Sequence, residues 1–411
     1  MAKLIISPGQ VQDPLAVQPV MKSASKRVLF SLAFRIFFLL GAAWAFLAVG
    51  IWTLWFSGQW TESWVFPPTL WHAHEMIFGF AALIASGFLL TAVQTWTGLR
   101  SAHGGVLIAL ALLWLIARVS LLINAGPWSL AVFCVAQFGW WLGVIACFSY
   151  LIIKAKNQAN RVLILLLSAM FMCNTLFVFL LIKQEFAAAS YMGQSAIVLF
   201  CVLITLIGGR VIPFFTARAL GQKQYKNPLL DNVLFWSSLF ASVVFGAQFY
   251  FAFTQQAAGI LILLSIGHLW RLRQWYHKGI WQESLLWSLH LSYLAMALGL
   301  LLAGLSLLTP LLALKDALHL ISISAVSGMI LSMMSRVSLG HTGRALKINV
   351  SLNGAFALLL VAGLIRALSG LTEHVLFYWQ LSAWFWLAAF SLFLWHYLPI
   401  LTRARIDGKP D

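Results

Sequence analysis

Pro67-Pro68-Thr69-Leu70-Trp71-His72-Ala73-His74-Glu75-Met76 continues without another charge through Val93 to Gly98. A prolyl pair ends whatever precedes it, and Thr69 is the expected N-cap of the helix that follows. From Leu70 to Thr95 such a helix rises far enough to cross the ~30 Å hydrocarbon core of a bilayer. His72, His74 and Glu75 then fall in about its first two turns, just below the headgroups. Helical residues two apart are rotated by about 200°, so the two imidazoles face nearly opposite sides and do not readily chelate one ion. The geometry suits one helix serving two centres, or one centre and one hydrogen-bonded partner. A single interfacial histidine is usually a structural donor, but two histidines and a carboxylate in one membrane turn are functional candidates by default.

The rest of the chain obeys the same reading. Its 411 residues are 62% hydrophobic and 9% charged, with a mean hydropathy of +0.92. That composition excludes a soluble domain and predicts an all-α, polytopic membrane protein, since each long apolar run must satisfy its backbone internally. The short alternating strands of a barrel are missing. The net charge of +16 does not point to nucleic acid, because the basic residues are scattered between apolar runs rather than gathered on one face. Cys134, Cys147, Cys173 and Cys201 sit inside apolar segments without ligand spacing and read as buried thiols. There is no C-x-x-C-H sequence, so any haem would be held non-covalently.

Polar, proline and glycine breaks divide the chain into about twelve spans, near 33–56, 70–95, 105–124, 128–153, 161–182, 192–218, 230–253, 257–275, 284–308, 312–338, 350–371 and 375–400. With a cytoplasmic N-terminus, Arg100, Lys154, Lys156, Arg161, Arg218, Lys223, Lys226, Arg271, Arg273, Lys278, Arg344 and Lys347 share the cytoplasmic side with both tails. The opposite side holds little more than Lys183 and Lys315 among Glu62, Glu185, Asp316 and Glu373. This positive-inside pattern sets the orientation, with both termini cytoplasmic and an even helix count. The expected organisation is a polar arm (1–30, with Pro8 and Pro14), one single-bundle transmembrane domain (31–401) and a basic tail (402–411). Trp60, Trp64, Trp128, Trp275 and Tyr276 read as interfacial anchors.

Further polar residues sort by depth. His319 lies about two turns into the tenth span, near the level of His72 and His74, and could share an outer site with them if the two helices touch. His268 and His290 flank the turn near Gly279 at matching distance, which makes them the best pair of ligands on adjacent helices; the alternative is that His268 caps packing near Arg271 while His290 bonds a carbonyl. In Arg336-Val337-Ser338-Leu339-Gly340-His341, His341 either holds an anion or haem propionate or has a surface role, and Arg336 is carried with it as a candidate contact. Gly208-Gly209-Arg210 precedes Pro213, which is expected to break the sixth helix near its inner end. Arg210 there either snorkels or pairs with a buried anion, as do Arg118 and Arg366. The run Met329-Ile330-Leu331-Ser332-Met333-Met334 reads as adaptable packing before sulfur ligation.

Neutral imidazoles bind late first-row metals and haem iron, and Glu75 is the nearest candidate for an orienting partner or proton carrier. Zinc is less attractive without cysteine clusters. Proton-coupled transport, the main rival, places carboxylates at the midplane, whereas here they lie at the ends.

Trp71-His72-Ala73-His74-Glu75-Met76 with Phe78-Gly79-Phe80, Gly87-Phe88-Leu89-Leu90-Thr91-Ala92-Val93 and Trp96-Thr97-Gly98 resembles the helix-two signature of the NnrS family. Phe34-Arg35-Ile36-Phe37, Gly208-Gly209-Arg210 with Ile212-Pro213-Phe214-Phe215-Thr216, Gly267-His268-Leu269-Trp270-Arg271, Leu289-His290 with Tyr293, and His319 through Arg344 extend the likeness over nearly the whole chain. The resemblance implies a haem- and copper-containing protein of the bacterial inner membrane, acting on nitric oxide and in resistance to nitrosative stress. Reduction of nitric oxide at a b-type haem or haem-copper centre, with a quinol or another membrane donor, is the first expectation. A non-catalytic haem-bearing sensor, metal handler or transporter is the alternative. The candidate metal ligands are His72, His74, His268, His290 and His319, with Glu75 as the catalytic acid and Arg210, Arg336 and His341 as further cofactor contacts. The chain also resembles haem-copper oxidases in helix count and in histidines on helices two and ten. It departs from them in having no histidine on helices six and seven.

Overall fold

The computed structural model describes residues 28–59, 66–123 and 126–409. Most of the expected N-terminal arm, and with it Pro8 and Pro14, lies outside the described residues, as do Trp60, Glu62 and Trp64. Within them the chain forms twelve long helical rods and no strand. These are α1 Ala33–Phe56, α2 Pro68–Thr97, α3 Gly105–Ile123, α4 Pro127–Lys154, α5 Arg161–Ile182, α6 Phe186–Leu220, α7 Pro228–Ala247, α8 Thr254–Trp275, α9 Ser284–Leu308, α10 Leu314–His341, α11 Val350–Leu368 and α12 Val375–Thr402. Eleven are long and apolar enough to cross a membrane. The other, α8, has the length, but Gln255, Gln256, His268, Arg271 and Arg273 dilute its apolar character. The protein is an all-α, multi-pass membrane protein.

The twelve expected spans recur, with α6 beginning at Phe186 and α7 ending at Ala247. Three local expectations are corrected. Thr69 is not the N-cap of α2: Pro67 occupies that position and Pro68 starts the helix, because proline fits N1 with its φ preset and no N–H to lose. Pro213 does not break α6, which runs on to Leu220; in lipid, unwinding exposes several backbone groups, whereas a proline removes one bond. Trp275 is no interfacial anchor but is buried, with its ring 4.9 Å from that of Tyr293 and beneath the Arg271 guanidinium at 4.8 Å. Trp128 and Tyr276 are exposed as expected.

Successive helices pack as antiparallel neighbours except at α2 and α3, where α2 lies instead against α4 and α3 against α1, and α12 returns to lie against α1. Arg35 near the start of α1 donates from Nη1 to the carbonyls of Leu401 and Arg403 (3.0 and 2.8 Å). It thereby caps the orphan carbonyls at the end of α12 and ties first helix to last. The described starts and ends of the bundle therefore meet on one face. The most enclosed rods are α2 and α10, each with 78% of its apolar window buried, and α6 packs against both.

These two central helices share a departure from regularity. In α2 an α-helical turn Pro68–His74 gives way to π-helix over Glu75–Ala81 before α-helix resumes. In α10 the π-segment is Leu320–Ser327, immediately after His319. A π-turn holds an extra residue and re-aims everything on its outer side. Tertiary partners hold the wider turns open: Trp114 Nε1 donates to the Gly79 carbonyl (2.9 Å), and Ser324 Oγ donates to the Leu360 carbonyl (2.8 Å) on α11.

Candidate functional site

The outer half of the bundle contains a closed ring of buried polar groups drawn from α1 to α5. His74 Nδ1 meets Glu75 Oε1 at 2.8 Å, and its Nε2 meets Asn174 Nδ2 at 2.9 Å. Asn174 Oδ1 accepts from Gln137 Nε2 and from Trp141 Nε1, both at 2.9 Å. Gln137 Oε1 accepts from Arg118 Nη2 at 2.6 Å. Arg118 Nε lies 3.1 Å from Glu75 Oε2 as an ion pair rather than an aligned hydrogen bond, and Trp44 Nε1 donates to that same oxygen at 2.8 Å. These partners fix the neutral tautomer of His74, with the proton on Nδ1 donated to the carboxylate and Nε2 accepting from the amide. His74, Glu75, Gln137 and Asn174 have no exposure at all. Gly79 makes the ring possible, since a Cβ there would stand 2.7 Å from Arg118 Nη1 and 2.8 Å from Glu75 Oε2.

His72, two residues away, faces elsewhere, as the helical rotation requires. Its ring stacks on Trp52 at 4.6 Å and 23°, and its buried Nδ1 has no hydrogen-bond partner. His319 on α10 lies within electrostatic reach of it. The His319 Nδ1 donates to the Lys315 carbonyl at 2.6 Å, which leaves Nε2 with the lone pair. Arg366 is felt by both rings; its charge is balanced by Asp316, 2.5 Å away, and it stacks on Trp379. So of the two helix-two histidines it is His72 that comes within electrostatic reach of His319, with His74 committed to the ring.

In the inner half α8 and α9 pair as a hairpin, yet the two histidines do not answer each other across it. His268 Nδ1 meets the Tyr293 hydroxyl at 2.7 Å, and its Nε2 lies 3.4 and 3.5 Å from Ser238 and Thr205. Arg271 adds a bond to the same hydroxyl at 3.2 Å and is paired with Asp231. The partner of His268 thus sits about one turn beyond His290. His290 donates from Nδ1 to the Leu286 carbonyl at 2.9 Å, while its buried Nε2 has no hydrogen-bond partner, although the Trp275 backbone approaches the ring.

A metal-binding imidazole needs one free nitrogen and an acceptor that fixes the other. His290 and His319 have that arrangement, each with a carbonyl on Nδ1 and an open Nε2, and His72 offers an open Nδ1. His74 and His268 have both nitrogens engaged. Among the described residues no three His, Cys, Asp or Glu side chains converge on one metal-sized point.

The remaining candidates lie at the inner face. Arg210 is exposed and bonds Asn160 Oδ1 and the Ala159 carbonyl, tying α6 to the α4–α5 connection rather than to a buried anion. His341 packs on Phe34, and its carbonyl accepts from Arg405. Arg336 lies 3.6 Å over the Phe215 ring. Arg118 and Arg366 did pair with buried anions. The reading of the sequence passed over Trp44, Gln137, Trp141 and Asn174; isolated Asn and Gln within apolar spans were the available signal, since such groups must find partners in lipid.

With this geometry in view, comparison with protein families returns a match to the NnrS protein over residues 28–405, nearly the whole chain. No curated protein matches.

Proposed function

Because the chain belongs to the NnrS protein family of nitric oxide response membrane proteins, we propose that it is a copper- and haem-binding protein of the bacterial inner membrane that takes up nitric oxide at a histidine-ligated centre. The observation that carries this reading is the unsatisfied Nδ1 of His72, buried against Trp52 and within electrostatic reach of His319. An orphaned buried nitrogen costs about 1–3 kcal/mol, a penalty that a bound ion removes.

His72 and His319 would be the residues to hold copper, because neutral imidazoles suit that metal. His290 would hold haem iron through Nε2, the ring nitrogen that its hydrogen bond to Leu286 leaves basic. Bound metal would supply the orbital that holds nitric oxide and the electrons that change its oxidation state. The chain's own groups do the rest. Trp52 holds the His72 ring in plane. The Lys315 and Leu286 carbonyls hold His319 and His290 in the tautomer that leaves Nε2 basic. The Asp316–Arg366 pair keeps the outer site close to neutral. Glu75 positions His74 and Arg118; both of its oxygens are occupied, so serving as proton carrier requires it to release a partner first. That engagement favours binding over turnover, and it supports the second reading of a sensor or metal handler that protects other metal centres.

The test is metal and haem content, with absorption spectra before and after nitric oxide, for the purified wild type and for His72→Ala, His319→Ala and His290→Ala. The first two substitutions are expected to remove most of the copper and the third most of the haem, while His74→Ala leaves the copper in place. Full copper in both outer variants refutes the outer pair. Nitric oxide consumption with a quinol donor separates reductase from sensor.

A further inference from the structure

Between α1, α2, α6 and α10 lies an apolar cavity lined by Phe38, Phe88, Ile207, Val211, Met329 and Met333 among other hydrophobic side chains, and by no histidine. Its α6 wall extends from Phe200 to Val211, about 16 Å at 1.5 Å per residue. That is about half of the ~30 Å hydrocarbon core, the depth of one leaflet. The methionines supply flexible, polarizable walls that adapt to an irregular apolar occupant.

The inner end of this slot is marked by a cation. Phe215 follows the lining residue Val211 by one helical turn, and Arg336 follows Met333 by one turn on the facing helix, so both continue the cavity's own faces. Their side chains meet, with the guanidinium 3.6 Å over the ring. Arg336 is half-buried, and no carboxylate lies within ion-pair distance of it in the described residues; the charges around it are Arg218 on α6 and the exposed Glu283. A half-buried guanidinium beside a second arginine favours an anion. On the basic side of the bundle, that anion borders the cytoplasmic leaflet.

We propose that this slot is a binding site for one anionic phospholipid, its phosphate on Arg336 and Arg218 and one acyl chain in the cavity. The site is separate from the histidines that would hold metal, and it joins α6 to α10 through a molecule taken from the membrane.

Native mass spectrometry of the protein released from vesicles of phosphatidylglycerol and phosphatidylethanolamine tests the proposal. The wild type is expected to retain one phosphatidylglycerol through detergent exchange. Arg336→Gln should reduce that occupancy at least tenfold, and Ile207→Trp, which fills the slot one turn in from Val211, should do the same. Arg100→Gln, in an exposed inner connection, should retain the lipid. Two variants, one at the cation and one inside the slot, each checked for a monodisperse elution profile, keep a folding defect from imitating the result. Occupancy unchanged in both variants overturns the proposal. So does loss in Arg336→Gln alone with displacement by millimolar inorganic phosphate, because the headgroup would then bind without the chain. Release of haem or a quinone in place of phospholipid overturns it as well.

Discussion

At the scale of single residues, what matters is which polar atoms have partners. Glu75 is the only carboxylate in the ring and carries the contacts of Trp44, His74 and Arg118. Replacing it with glutamine keeps the shape but leaves the Arg118 charge without a counter-ion, and breaking a buried pair from one side costs roughly 3–5 kcal/mol. Glu75→Gln is therefore expected to lower the thermal midpoint clearly, and the double variant Glu75→Gln, Arg118→Met to recover much of the loss. Equal and additive losses from the two substitutions would mean that the pair is not the stabilising unit. His72, His290 and His319 stand in the opposite condition, with ring nitrogens left open. For that reason their alanine variants are expected to change metal content far more than stability.

At the scale of elements, the π-segments of α2 and α10 decide where the histidines point. Each begins directly inward of its histidine, so the turn carrying His72 and the turn carrying His319 are both rotated relative to the helix beneath. Deleting Met76 returns α2 to a regular ladder and swings its outer turn by about 100°. The expected outcome is loss of copper with little change in helix content by circular dichroism. Copper retained at the wild-type level would show that the π-segment does not aim His72. The apolar periodicity of α2 betrays none of this, because a π-turn is selected by partners on other helices, such as the Trp114 indole on the Gly79 carbonyl.

At the scale of the molecule, the bundle closes on itself through Arg35 and the end of α12, and the distribution of Lys and Arg predicts cytoplasmic termini. In a background with the four native cysteines replaced, Lys223→Cys is expected to react with an impermeant thiol reagent only from the cytoplasmic side and Lys183→Cys only from the opposite side. Labelling of both from one side would invert or break the twelve-helix topology. The sequence alone determined the class and the helix count, because lipid forces every spanning segment to be long, apolar and internally bonded, and each such segment declares itself without reference to the others. The opposed directions of His72 and His74 also followed from helical rotation. Only tertiary structure decided that His74 belongs to a ring completed by Asn174 and Gln137, that His72 stacks on Trp52, and that His268 meets Tyr293 rather than His290. Those outcomes depend on the register between helices far apart in the chain, and register is set by packing that no single apolar span encodes.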